Sequence, residues 1–157
     1  MGLSDTQKKE ILQKARVIVI IGLSPDSNKS SYQVGEFLLN KGYEIVPIYP
    51  RGGEILGKKA YLTLQEAFEA LAQRGVQCDI INVFRKSEAL EEIMQEILAL
   101  KNLSSFNAHH LCVWVQLGLH NAKSANLAKE HHIAYEENSC IKLEYLRILE
   151  SAPEASI

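Results

Sequence analysis

Apolar residues fall into short unbroken runs, and between them lie segments where apolar positions recur every three or four residues. The first run, Val17–Ile21, is five consecutive β-branched residues ending at Gly22. Such a run predicts a parallel strand covered on both faces, and Gly22 permits a tight turn at its carboxyl end. Glu44–Ile48, Asp79–Phe84 and Leu111–Leu117 read as further strands, with Pro47 and Pro50 closing the second. Lys58–Leu62 reads as a short edge strand and Ile133–Tyr135 as a last short one. Between the runs the period lengthens to that of a helix. Val34, Phe37, Leu38 and Leu39 give one apolar face, and Leu90, Ile93, Met94, Ile97 and Leu98 another.

The helix starts are marked by polar residues. Ser4 with Gln7 and Ser30 with Gln33 have capping-box spacing, and Thr63 and Ser87 stand where N-caps belong. The expected helices are therefore Asp5–Lys14, one from Ser30 to Lys41-Gly42, Leu64–Gln73, one after Ser87, Asn121–Glu130 and Ile141–Leu149. Strands alternating with helices over the whole length predict an α/β fold, a single Rossmann-like domain with a doubly wound parallel sheet. About five strands are expected, with the first one central. Residues 1–15 form a leading helix, 16–149 the domain, and 150–157 a frayed tail. No internal repeat or low-complexity tract interrupts the pattern.

Composition narrows the function classes. The net charge is −2 and no Lys/Arg block occurs, so general nucleic-acid binding is not expected. The first residues lack the apolar core of a signal peptide, and no apolar run nears the roughly 20 residues of a membrane span. Cys78, Cys112 and Cys140 are odd in number, widely spaced and without CxxC, which fits reduced thiols and a cytoplasmic location. Nothing in the residues fixes an oligomeric state, and a homo-oligomer is compatible with them.

In doubly wound sheets ligands bind beyond the strands' carboxyl ends, at the point where the strand order reverses. The loops to inspect are Leu23–Ser31, Tyr49–Gly53, Phe84–Ser87 and Gln116–Asn121. Gly22-Leu23-Ser24 lacks the later glycines of a GxGxxG fingerprint. NAD sites place a carboxylate near the end of the second strand to hold the ribose hydroxyls. Here that strand runs into Tyr49-Pro50-Arg51, which offers a cation instead. An Arg at this place suits a phosphorylated ribose, bound by a bidentate fork. NADP and coenzyme A both carry one. Lys29 and Ser30 at one helix start, and Arg85-Lys86-Ser87 at another, add cations and helix N-termini on the same edge.

Several blocks in register then resemble one family. GLSPDSNKSSYQVGEFLLNKGYEIVPIYP, EILGKKAYLTL, DIINVFRKSEAL, VWVQLGLHN and SCIKLE match, in that order, the small stand-alone CoA-binding-domain proteins. Those are similar to the CoA-binding N-terminal domain of the succinyl-CoA synthetase alpha subunit. The likeness covers about residues 16 to 149. The family usually has Arg-x-Ser where Lys29-Ser30-Ser31 stands, Asn-Pro at Tyr49-Pro50, and often Asp-Arg-Cys at Asn138-Ser139-Cys140. The loop from Asn102 to His110 is longer than usual.

The resemblance implies a site for coenzyme A or an acyl-CoA. Gly22, Leu23, Ser24, Lys29 and Ser30 would contact the phosphates, and Pro50 and Arg51 would flank the adenosine 3′-phosphate. Val83, Phe84 and Arg85 would border the adenine or ribose, and Gln116, Leu117 and Gly118 the pantetheine. An NADP-binding reductase-like domain and a regulatory partner without the ligand are the competing readings. Catalytic signals are sparse. His109-His110 and His131-His132 have no metal-ligand spacing, and adjacent histidines on a strand would point to opposite faces. No nucleophile elbow occurs, no second domain is expected to carry a phosphohistidine, and Cys140 reads as a buried inert thiol. The expectation is a non-catalytic binding protein without a metal. His120 is the one group in these loops with an ordinary pKa suited to acid–base work, near 6.5 in model peptides.

Overall fold

A computed structural model describes residues 2–150. The strands in chain order are β1 (Val17–Ile21), β2 (Glu44–Ile48), β3 (Glu54–Ile55), β4 (Lys58–Lys59), β5 (Ile80–Val83), β6 (Cys112–Val115) and β7 (Ala134–Glu136). Five of them form one sheet in the order β2-β1-β5-β6-β7, and every neighbouring pair is parallel. β3 and β4 make a separate antiparallel hairpin. The helices are α1 (Asp5–Lys14), α2 (Ser30–Asn40), α3 (Leu64–Gln73), α4 (Leu90–Leu98), α5 (Ala122–Glu130) and α6 (Ile141–Tyr145).

The sheet is covered on both sides, which explains why its strands read as unbroken apolar runs. All five residues of β1 are buried. Val19, Ile21, Ile81 and Val113 face Phe68 of α3, Ile93 of α4 and Ala128 of α5. Ile18, Ile20, Ile80 and Trp114 face Leu12 of α1, Val34 and Leu38 of α2, and Ile141 of α6. The chain is thus wound in both directions from β1, and the switch point lies between β1 and β5.

Several expectations are refined. β1 is interior, with a partner on each side, but the middle strand is β5. Pro47 lies inside β2 rather than closing it. β2 is the outer strand of the sheet, where a missing N–H costs least, and the Pro47 carbonyl accepts from Tyr61 N at 2.9 Å. The expected edge strand at 58–62 is reduced to β4 and an isolated parallel bridge from Tyr61 to Ile48. α6 passes after Tyr145 into a π-helical segment, Leu146–Glu150, instead of continuing to residue 149 as regular α-helix. Residues 151–157 of the expected tail lie outside the described residues.

Two polar clusters fasten the amino edge and the flank of this layered core. Asp79 Oδ2 accepts from Arg16 N at 2.7 Å and Val17 N at 2.8 Å, while its other oxygen meets His110 Nε2. The carboxylate therefore holds the starts of β1 and β5 to the loop before β6. Lys8 is buried between Glu136 at 2.9 Å and Glu144 at 2.7 Å. That pairing ties α1 to β7 and α6. The Arg147 guanidinium holds the Glu144 carboxyl down at about 2, against the opposing effect of burial, with Lys8 adding to the pull.

Candidate functional site

The carboxyl ends of β1, β2 and β5 come together at a point set by Gly22. Its φ is +85°, and a Cβ there would lie 2.4 Å from the Phe84 carbonyl oxygen. Only glycine lets the two strand ends approach this closely. The Gly22 N–H donates to Ile48 O at 3.1 Å, so the same residue also ties the end of β2.

The loop that follows is ordered by its own short side chains. Asp26 N donates to Ser24 Oγ at 3.0 Å, and Asn28 N to Asp26 Oδ1 at 2.9 Å. Ser24 N donates to Ser31 Oγ at 3.0 Å, and Ser31 is buried. These turns deliver the chain to α2 with Lys29 at the N-cap and no side chain capping the helix. Ser30 is its first helical residue, not its cap. Gln33 Nε2 instead reaches Ser27 O at 3.5 Å, so the expected capping box is not formed. Gln33 N is the first amide to bond back into the helix, to Lys29 O at 3.2 Å. The amides of Ser30, Ser31 and Tyr32 stand at the positive end of the helix dipole. Gly35 brings α2 close to this loop, for a Cβ there would lie 2.9 Å from Leu23 Cδ1.

The other helix beginning on this side of β5 is built the same way. Lys86 is the N-cap of a 3₁₀ turn, Ser87–Ala89, that leads into α4, again without a side-chain cap. Ser87 does not cap it, because its Oγ accepts from His120 N at 3.0 Å. By contrast Ser4, Thr63 and Asn121 cap α1, α3 and α5 with their side chains.

Between these loops lies a groove of about 400 Å³ walled by Gly22, Tyr49, Pro50, Arg51, Phe84 and Arg85. Gly52 N donates to Tyr49 O at 2.9 Å, closing a turn with Pro50 at its second position and Arg51 at its third. Lys29, Arg51, Arg85 and Lys86 have no carboxylate within ion-pair distance among the described residues. Cations without an ion pair, beside a helix N-terminus without a side-chain cap, are features that suit a phosphate group.

The expected site residues divide into three groups. Gly22, Pro50, Arg51, Phe84 and Arg85 meet in the groove, with Ser24, Lys29 and Ser30 outside its walls, in the adjoining loop and at the start of α2. Leu23 and Val83 are fully buried, and their side chains are part of the core. Gln116 and Gly118 do not line the groove. The Gln116 side-chain oxygen is buried without a hydrogen-bond partner among the described residues, and Gly118 N donates to Asn138 Oδ1 at 2.7 Å. Sequence reasoning missed Tyr49 as a wall, Ser31 as the anchor of the loop, and Gly35. The last was invisible because it stands 13 positions after Gly22, outside any fingerprint spacing.

Neither histidine pair lies on a strand. His109 and His110 are in the turn before β6; His131 is the C-cap of α5, and His132 follows it with φ +58°. Among the described residues no group of three or more His, Cys, Asp or Glu side chains could hold a metal ion. Cys78 and Cys112 are buried, and burial pushes both thiols up. Cys140 is half-buried at the N-cap of α6, not fully buried as expected.

A doubly wound parallel sheet with a cation-bearing groove at the switch point of its strands defines a Rossmann-like α/β domain. Residues 16–146 match the CoA binding domain, and the chain belongs to that family. It is similar to the uncharacterized protein YneT of Bacillus subtilis (strain 168), with 33% identity over 140 residues that span 89% of this chain and 93% of YneT. Solved structures with the same fold include a hypothetical protein from Pyrococcus horikoshii OT3. It is 26% identical, with a TM-score of 0.78 and 94% of each chain covered. Another is the Thermus thermophilus protein called cell-free ID.343, 25% identical with a TM-score of 0.77, over 94% of this chain and 100% of that one. No helix among the described residues is long and apolar enough to cross a membrane.

Proposed function

We propose that this protein binds coenzyme A or an acyl-CoA in the groove between β1, β2 and β5, without turning it over. The observation that carries the reading is the uncapped start of α2, with Lys29 at its N-cap, together with a groove whose Arg51 and Arg85 form no ion pair among the described residues. The pyrophosphate sits against the amides of Ser30, Ser31 and Tyr32, with Lys29 adjacent. Arg51, held out by the Tyr49–Gly52 turn, takes the 3′-phosphate on the ribose. Membership of the CoA-binding domain family supports this ligand over other phosphorylated nucleotides.

The absence of turnover rests on the groups at the groove. Thioester chemistry needs a nucleophile or base oriented by a third group. The groove is walled by glycine, proline, arginine and aromatic side chains. His120 is exposed, and what anchors it is its backbone N–H on Ser87 Oγ. Calorimetric titration with CoA, dephospho-CoA, NAD and NADP tests the ligand. CoA is expected to bind most tightly; preference for NADP would favour a reductase-like cofactor site, and no binding at all would refute the proposal.

A further inference from the structure

The chain between β2 and α3 forms a strap with a fixed base and a fixed tip. At the base, Tyr49 N donates to Tyr61 O and Tyr61 N to Pro47 O, each at 2.9 Å. The strap therefore leaves and rejoins the outer edge of β2 at one place. At the tip, Ile55 of β3 pairs with Lys58 of β4 across the two-residue turn Leu56-Gly57. Both turn residues have positive φ, +56° at Leu56 and +76° at Gly57. Such a turn favours asparagine, aspartate or glycine at its first position, and a leucine there is strained. Strain of this kind persists only where the surrounding structure over-determines it. The leucine side chain supplies that constraint. It is half-buried and packs with Leu23 onto α2 at Gly35, where a Cβ would lie 3.2 Å from Leu56 Cδ1.

Arg51 lies on this strap, between base and tip. Gly52 and Gly53 follow it with φ +65° and +83°, a natural pivot. Arg51 is exposed and in no ion pair among the described residues, so the strap rather than a partner side chain sets its place. The helix on which the tip rests is the one whose uncapped start, at Ser30, adjoins the groove.

We propose that Leu56 is a positioning residue: it pins the strap to α2, fixes the spacing between Arg51 and the start of that helix, and so lets the groove tell a ribose 3′-phosphate from a 2′-phosphate. The inference rests on the reading of the groove as a nucleotide site. With the 5′-phosphate against the amides at the start of α2, the two ribose positions put the second phosphate in different places. A planar guanidinium makes its bidentate contact only at the right distance and direction. Held at one spacing, Arg51 meets one of the two isomers; freed to pivot at Gly52-Gly53, it follows either.

The test uses adenosine 3′,5′-bisphosphate and adenosine 2′,5′-bisphosphate, which have the same base, charge and mass and differ only in the ribose position. The wild-type protein is expected to prefer the 3′ isomer by about tenfold or more, the worth of one hydrogen bond to a charged group. Leu56→Gly and Leu56→Asn both suit the positive φ of the turn, so each keeps the hairpin and removes only the pin. In either variant the preference is expected to fall below about threefold, with cooperative thermal unfolding as the folding control. A merely structural loss would weaken both isomers alike and leave their ratio unchanged. In Arg51→Ala the preference is already lost, and adding Leu56→Gly should change it no further. A preference that survives in both folded variants, or that changes again in the Arg51→Ala background, overturns the pin and leaves the CoA reading standing. Equal binding of the two isomers by the wild type overturns the fixed spacing and leaves the groove as a phosphate site. Preference of the wild type for the 2′ isomer, or failure to bind either, overturns both.

Discussion

Gly22→Ala isolates the close approach on which the groove depends. The added methyl meets two obstacles. At φ +85° a side chain occupies the left-handed region, which costs about 1–2 kcal/mol for a residue other than glycine. It also lies 2.4 Å from the Phe84 carbonyl oxygen. Phe84 cannot easily retreat, because its N–H donates to Ile21 O at 2.9 Å and the preceding Val83 O accepts from Gln116 N at 3.1 Å. Parting the ends of β1 and β5 resembles overpacking a core and adds about 1–3 kcal/mol. Gly42→Ala supplies the control, since Gly42 has φ +98° and a Cβ added there would meet nothing within 4 Å among the described residues. That variant should lose only the conformational part. In urea unfolding, with a slope of about 1–3 kcal/mol per molar, a further loss of about 2 kcal/mol separates the two midpoints by about 1 M. Equal losses in the two variants would refute the close-approach reasoning. In Gly22→Ala that remains folded, CoA affinity should also fall, because the displaced Phe84 and Arg85 wall the groove.

Arg51→Ala is expected to weaken CoA by about ten- to a hundredfold while barely changing dephospho-CoA, as titration of the two ligands would show; equal weakening would mean that Arg51 does not read the 3′-phosphate. Glu144, held at about 2 when folded, contributes stability that is present above its ordinary pKa and lost as pH falls toward 2. Its loss is worth about 3 kcal/mol at most, so unfolding followed between about pH 5 and pH 2 should show a shallower acid decline for Glu144→Gln, and an unchanged decline would contradict the pairing. Purified protein incubated with acetyl-CoA or succinyl-CoA should release no thiol above the buffer rate; release that disappears in His120→Ala would overturn the non-catalytic reading.

The layers were legible in the sequence because burial on both faces leaves an unbroken apolar run. The apolar run ending at Ile21 marked β1, which begins at Val17, one residue after the expected start at Arg16, and the Ser4 box and the Thr63 cap marked the starts of α1 and α3. The two serines at the other helix starts misled for a shared physical reason. Ser30 and Ser87 have the residue type of a cap, but Ser30 lies one position inside α2 and Ser87 is taken by the His120 amide. Cap residues report a capacity to accept from a backbone amide, not which amide they accept from. Arg51 and Arg85 were visible as cations after strands, and the structure brings both to one groove. Gln116 and Gly118 also follow a strand, yet they stand outside that groove; a linear reading places residues on an edge and does not place them around it.

The most direct test of the central claim is the change in backbone amide NMR resonances when CoA is added. The largest shifts are expected at Ser30, Ser31 and Tyr32, with smaller ones through Tyr49–Gly53 and Phe84–Ser87. Shifts confined to the opposite edge of the sheet, around Glu10, His109 and His110, or no shifts at millimolar CoA, would contradict a CoA site at the start of α2.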